Sequence, residues 1–305
     1  MRRTTIINPK EVRRITYKEG AAAFFKHCAL KNLRPPTIRY YKEDLNYFQS
    51  KVGVKHLEDI TQEVFDGFIL DELNEGKKVS SLNSRIRGLR VFFNFCAERE
   101  YMTPLALHLM KEDVDLKEPY TDAELRRLLK KPRSNRWVEW RSWASINYLL
   151  ATGNRASTVI NIRIEDIDFE EMTIRLRMLK NRKQQIMPLS PALKEVLTDY
   201  LNTWVWKKDD YLFPSYEGGQ LNIRSFQCAI SRYNLSRGVS KTSIHLFRHT
   251  FAKNYVLAGG GLVQLQGLLG HSTLDMARHY VNIYGTDLNQ DFEKFNPLDN
   301  LKKRL

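Results

Sequence analysis

Cysteine is scarce in this 305-residue chain: Cys28, Cys96 and Cys228 stand far apart, with no Cys-x-x-Cys pair. An odd, scattered set excludes a disulfide framework and offers no zinc pattern, so it reads as buried thiols in a reducing compartment. Long apolar runs are lacking too. No stretch approaches the roughly 20 residues of a membrane helix, and the basic start Met1-Arg2-Arg3 is not followed by the apolar segment of a signal peptide. A soluble, cytoplasmic protein with no membrane partner is expected. Internal repeats and low-complexity tracts are lacking, and Gly259-Gly260-Gly261 has neither the lysine nor the Ser/Thr of a phosphate loop, which leaves a turn between helices. Negative charge is in deficit. Forty-nine Lys+Arg against 35 Asp+Glu give +14 and a pI near 9.6, which points to a polyanionic partner, with a merely basic soluble protein as the alternative. The 42% of hydrophobic residues suffices for ordinary cores, and the length suggests about two domains.

Residues 1–15 carry Arg2, Arg3, Lys10, Arg13 and Arg14 without periodicity and read as a basic N-terminal arm or a plain disordered end. Thr16 with Glu19 has the form of a capping box, predicting a helix to about Lys31 with Ala21, Phe24, Phe25, Cys28 and Ala29 on its apolar face. Pro35-Pro36 reads as a break, after which Thr37 starts a second helix to about Val52 with Tyr40, Tyr41, Leu45 and Phe48 inward. A third helix is expected over Gln62–Leu73, and a fourth from Ser80 or Ser81 through Arg99. Short connections make these a helical bundle over residues 16–110. Lys77 and Lys78 ahead of the fourth helix, with Arg85, Arg87 and Arg90 off its apolar stripe, fit a phosphate-contacting face or a solvated charged one.

Residues 111–119 have no apolar face and read as a linker. Thr121 and Glu124 then repeat the capping-box pattern, and Trp137–Ala151 forms a longer helix ended by Gly153, with Arg155 emerging at the turn. Between Ile164 and Leu189 the period becomes alternating, through Ile167 and Phe169, then Met172, Ile174 and Leu176, then Ile186 and Pro188. About three antiparallel strands result, with a basic hairpin tip holding Lys180, Arg182 and Lys183. Ser190-Pro191 opens another helix, and Asn222–Leu235 is one more. The expected fold is mainly α: an N-terminal helical bundle, then an α+β domain over residues 120–285 with a small three-stranded antiparallel sheet.

The chemistry gathers in Ser243–Tyr280. Ser243 is a candidate N-cap for a helix that sets His245 and Arg248 on one face. Leu262–Leu269 reads as a short helix stopped by Gly270, with His271 directly behind. Ser272 and Asp275 resemble a capping box for a last helix carrying Tyr280. His-x-x-Arg, Leu-Gly-His and a tyrosine nine residues after that histidine resemble the C-terminal signature of the tyrosine recombinases, also called the phage integrase family. Upstream, Thr152-Gly153-Asn154-Arg155 resembles the motif of the first arginine, and Lys180 the hairpin lysine. The resemblance spans roughly residues 16–295. Thr103-Pro104 stands where the family often has Asn-Pro, and Ala277 where it commonly has threonine.

The resemblance implies that the bundle is a SAM-like core-binding domain and the second domain catalytic. Arg155 and Arg248 would clamp a phosphodiester, His245 and His271 would donate hydrogen bonds or move protons, and Lys180, with Lys183 as the alternative, would protonate the leaving oxygen. Tyr280 would be the nucleophile, with Tyr284 its competitor. Cutting and rejoining would pass through a 3′-phosphotyrosyl link without cofactor or metal, and His249 and His279 would be structural. The His245/His249 pair is spaced like zinc ligands, yet Leu246 stands where a metalloprotease needs glutamate. Implied partners are double-stranded DNA with specific recombination sites, three further copies in a tetramer, and accessory DNA-bending or directionality proteins, in integration or excision of a mobile element. A type IB topoisomerase-like enzyme and a catalytically silent DNA-binding or architectural protein are the rival readings. Residues 286–305 hold Leu288, Phe292 and Phe295, an apolar set for a tail helix exchanged with a neighbouring protomer or packed in its own chain.

Overall fold

Thr16 opens the first helix by reciprocal capping: its hydroxyl accepts from Glu19 N at 3.2 Å, and the Glu19 carboxylate accepts from Thr16 N at 3.0 Å. The computed structural model of the chain describes residues 14–112, 118–177 and 184–270. These divide between two compact units, Met1–Asp115 and Leu116–Leu305.

The first unit holds α1 (Tyr17–Leu30), α2 (Pro35–Val52), α3 (Gln62–Asn74) and α4 (Val79–Glu98). Pro35 and Pro36 do not precede α2, as the expected start at Thr37 required; they form its first turn, behind Arg34 as N-cap. First-turn N–H groups have no intrahelical acceptor, so prolines lose no hydrogen bond there and their fixed φ suits the helix. The core is aromatic, with Phe24, Phe48, Phe92 and Phe93 at most 1% exposed. Phe48 meets Phe93 edge-on, with centroids 5.4 Å apart. Tyr40 and Tyr41, expected inward, are half-buried, whereas Asp44 is buried beside them. Glu72 is buried as well, and its carboxylate accepts from Tyr47 Oη at 2.8 Å and pairs with Arg85 at 3.2 Å. That polar network has no apolar period and left no mark in the helical pattern.

In the second unit come α5 (Asp122–Leu128), α6 (Trp137–Thr152), α7 (Ala156–Val159), α8 (Pro191–Leu201), α9 (Ile223–Ser236), α10 (Ile244–Leu257) and α11 (Leu262–Leu269), with strands β1 (Ile167–Asp168), β2 (Thr173–Leu176) and β3 (Gln185–Pro188). α6 adjoins α8, α9 and α10 and buries Trp143, Ile146, Tyr148 and Leu149. The sheet is antiparallel in the order β1-β2-β3, with Ile174 opposite both Ile167 and Met187. Met187 is its inward residue on β3 and Ile186 is 70% exposed. Met172 lies outside β2 in a left-handed turn at φ 53°, which shortens the strand expected from the alternation.

Cys28 and Cys96 are buried, but Cys228 is exposed on α9, correcting the expectation of three buried thiols. No helix among the described residues is long and apolar enough to cross a membrane.

Candidate active site

Three turns of chain meet at the end of α6. The helix closes at Gly153 in the left-handed region, φ 62°, and a Cβ there would lie 2.5 Å from a Phe251 ring carbon and 2.8 Å from a Leu269 methyl. Only glycine fits both the backbone and the space. Asn154 follows, buried, its Nδ2 donating to Tyr148 Oη at 3.0 Å. Burial pushes the Tyr148 phenol well above its usual range, so this hydroxyl stays protonated and serves as a fixed anchor. Arg155 is thereby delivered to the N-cap position of α7.

α10 brings the second arginine. It is pinned from outside: the Tyr120 ring lies 4.5 Å from that of Phe247, and Tyr120 N donates to Thr250 Oγ1 at 3.0 Å. Ser243 occupies the N-cap position but makes no side-chain cap bond; its carbonyl accepts instead from Tyr120 Oη at 3.4 Å. Arg248, 7% exposed, donates from Nη1 to Gly153 O and from Nη2 to Leu269 O, both at 2.9 Å. Arg155 Nη1 reaches the same Leu269 carbonyl at 3.4 Å. Leu269 is held in turn because Leu265 and Leu269 are buried with Ala252 of α10.

Two guanidinium groups thus converge on one carbonyl at the end of α11, where Gly270 turns the chain at φ 60°. Gln185, the first residue of β3, donates to Gly267 O at 2.8 Å and ties the sheet to the same helix end. Neutral carbonyl acceptors orient guanidinium groups without cancelling their charge. Asp166, eleven residues further along the chain, is bound by Arg177. The arrangement can receive an anion with two acceptor oxygens.

His245, one turn before Arg248, is exposed, and His249 is half-buried. Lys180, Arg182, Lys183, His271, Tyr280 and the tail lie outside the described residues. Among the described residues no group of three or more His, Cys, Asp or Glu could hold a metal ion. In the first unit Lys77, Lys78 and Arg87 are exposed. Arg85 instead pairs with Glu72 and lies 3.5 Å over the Tyr47 ring, and Arg90 donates to Leu107 O. The face expected from five basic residues therefore has two of its arginines engaged within the unit. Gln185 and Tyr120 were not singled out in the sequence, because each acts through a partner distant along the chain; Asn154 stood in the quoted motif without a role of its own.

The phage integrase family matches residues 120–286, and the phage integrase N-terminal SAM-like domain matches residues 22–100. Tyrosine recombinase XerC of Thermodesulfovibrio yellowstonii is 27% identical over 290 residues, covering 90% of this chain and 95% of the relative. Tyrosine recombinase XerD of Staphylococcus aureus is 25% identical over 279 residues, covering 88% and 94%. Among solved structures, the Tn1549 transposon integrase in complex with transposon right end DNA shares the fold at a TM-score of 0.74 and 18% identity, over 87% of this chain and 94% of that one. A lambda integrase dimer bound to a COC′ core site does so at 0.71 and 18%, over 88% and 77%. With both family domains matched in order, the chain belongs to the phage integrase family and is a tyrosine-type site-specific recombinase.

Proposed function

We propose that the chain cuts and rejoins double-stranded DNA at specific recombination sites through a 3′-phosphotyrosyl intermediate. Tyr280 Oη attacks the scissile phosphorus; the new O–P bond forms as the bond to the 5′ oxygen breaks, and Lys180 supplies that oxygen with a proton. Arg155 and Arg248 hold the two non-bridging oxygens as their charge rises. His245 and His271 donate to the same phosphate or carry protons, a role imidazole can fill near neutral pH. One phosphoester replaces another, so rejoining needs no outside energy and no step calls for metal or cofactor. The observation that carries this reading is the meeting of Arg155 and Arg248 at the Leu269 carbonyl, one residue before Gly270 and two before His271 in the chain.

Solved structures of the fold include a lambda integrase tetramer bound to a Holliday junction. That likeness supports a tetramer exchanging strands in pairs here, with the tail of residues 286–305 passed between protomers. Residues 16–110 act as the core-binding domain, residues 111–119 as linker and residues 120–285 as the catalytic domain. Lys77, Lys78 and Arg87, with hairpin residues Arg182 and Lys183, contact DNA phosphates, aided by accessory DNA-bending or directionality proteins. The family's phage integrases support a role in integration or excision of a mobile element. A nicked suicide duplex tests the chemistry: the protein becomes covalently trapped and Tyr280→Phe does not, while both bind. Binding without trapping would assign the chain to silent DNA-binding proteins, and trapping without strand exchange between two sites would assign it to topoisomerase-like enzymes.

A further inference from the structure

The end of α11 is held by side chains from other parts of the second unit. The last carbonyls of a helix have no intrahelical donor. Here Leu269 O accepts from Arg155 and Arg248, and Gly267 O accepts from Gln185 Nε2 at 2.8 Å. The arginines gain from the place itself, since cations are favoured at a helix C-terminus. Gln185 brings no charge. Its amide donates to a carbonyl that already accepts from Gly270 N at 3.0 Å, so both lone pairs of Gly267 O are used.

Gln185 comes from β3, whose side chains alternate between two faces. Gln185 and Met187 share one face, while Ile186 and Pro188 are exposed on the other. Met187 is 1% exposed, and its sulfur accepts from Asn154 Nδ2 at 3.6 Å. One face of one strand thus touches both the turn that delivers Arg155 and the helix end that both arginines reach. Arg248 spans the same two places from α10, from Gly153 O to Leu269 O. The contacts close into a ring, in which Gln185 links the sheet to α11. A Cβ on Gly270 would lie 3.7 Å from Gln185 Oε1 and 4.0 Å from Arg155 Nη1, so the amide and the guanidinium border the same turn.

We propose that Gln185 is a positioning residue for DNA cleavage: it fixes the last turn of α11, and with it the Leu269 carbonyl, so that Arg155 and Arg248 point at one phosphate. The inference rests on the cleavage reading above and adds a residue to it. Without the amide donor the end of α11 shifts against β3 and the two guanidinium groups lose their common acceptor. Charge rising on the non-bridging oxygens is then met less well.

The test compares the whole protein with Gln185→Met, which keeps the unbranched length and removes the donor, and with Gln185→Glu, whose carboxylate accepts but does not donate. Cleavage rates are normalised to the folded fraction read from tryptophan fluorescence, so poor folding is not mistaken for poor cleavage. On a nicked suicide duplex with an ordinary phosphate, each variant cleaves about 10–100-fold more slowly than the unaltered protein. Two altered substrates locate the loss. A methylphosphonate at the scissile position is neutral and asks less of the arginines, so the gap between variant and unaltered protein closes. Sulfur at the bridging 5′ position eases departure of the leaving group without removing that charge, so the gap stays. Variants that cleave the ordinary phosphate at the unaltered rate would overturn the inference. A gap of the same size on the methylphosphonate would overturn it too, as the mark of a general structural loss. A gap closed by bridging sulfur instead would place Gln185 with the leaving group and not with the arginines. No cleavage by the unaltered protein would remove the cleavage reading itself, and the inference with it.

Discussion

Arg248 is held by two backbone carbonyls that belong to different turns, Gly153 O and Leu269 O. A guanidinium fork can serve both at once, and a lysine ammonium at the end of a flexible stem serves one at best. Arg248→Lys therefore loses a bond and leaves a buried carbonyl unsatisfied, at a cost of about 1–3 kcal/mol. Losing one donor to the phosphate lowers covalent trapping by about 10²–10³-fold. Single-turnover trapping and a denaturant melt check the two figures separately. Lys180 carries a different expectation. Lys180→Ala cleaves ordinary DNA poorly and recovers on a substrate with sulfur at the bridging 5′ position, because a thiolate leaves without a proton; recovery by Lys183→Ala alone would exchange the two roles. At this scale Arg155, His245 and Arg248 were legible because their spacing is a motif. The Leu269 carbonyl was not, since any residue type supplies the same acceptor.

Helix ends decide how these side chains are presented. Gly153→Ala forces a Cβ into the left-handed region and against Phe251 and Leu269, costing about 2–4 kcal/mol. Because Gly153 O accepts from Arg248, trapping should fall by more than the loss of folded protein explains. All five tryptophans lie in the second unit, so their fluorescence reports its unfolding.

Glu124 at the start of α5 adds a pH signature. Burial alone would raise its pKa, but the Thr121 N–H and the Lys241 ammonium, 3.1 Å away, outweigh it and hold the carboxyl below its ordinary 4.5. A depressed carboxyl contributes stability that is present above the unfolded value and lost as pH falls through the folded one. Glu124→Gln should therefore be less stable at neutral pH by about 0.3–1 kcal/mol, with the gap closing below about pH 4. A gap that persists in acid would mean that the charge is not responsible. Capping boxes at Thr16 and Thr121 were readable as local chemistry. Pro35-Pro36 was misread because the same residues stop one helix and start the next. Met172 and Ile186 departed from the expected strands because alternation gives a period without fixing where a turn intervenes.

For the molecule as a whole, composition indicated a polyanionic partner and about two domains, and the two compact units agree in number. The central claim is that the chain breaks DNA with one particular phenol. Its most direct measurement is to trap the unaltered protein on a nicked suicide duplex, digest protein and DNA, and sequence the peptide that retains phosphotyrosine. The expected modified residue is Tyr280, bonded to a 3′ phosphate. Phosphotyrosine at Tyr284, or a link through a 5′ phosphate, would contradict it.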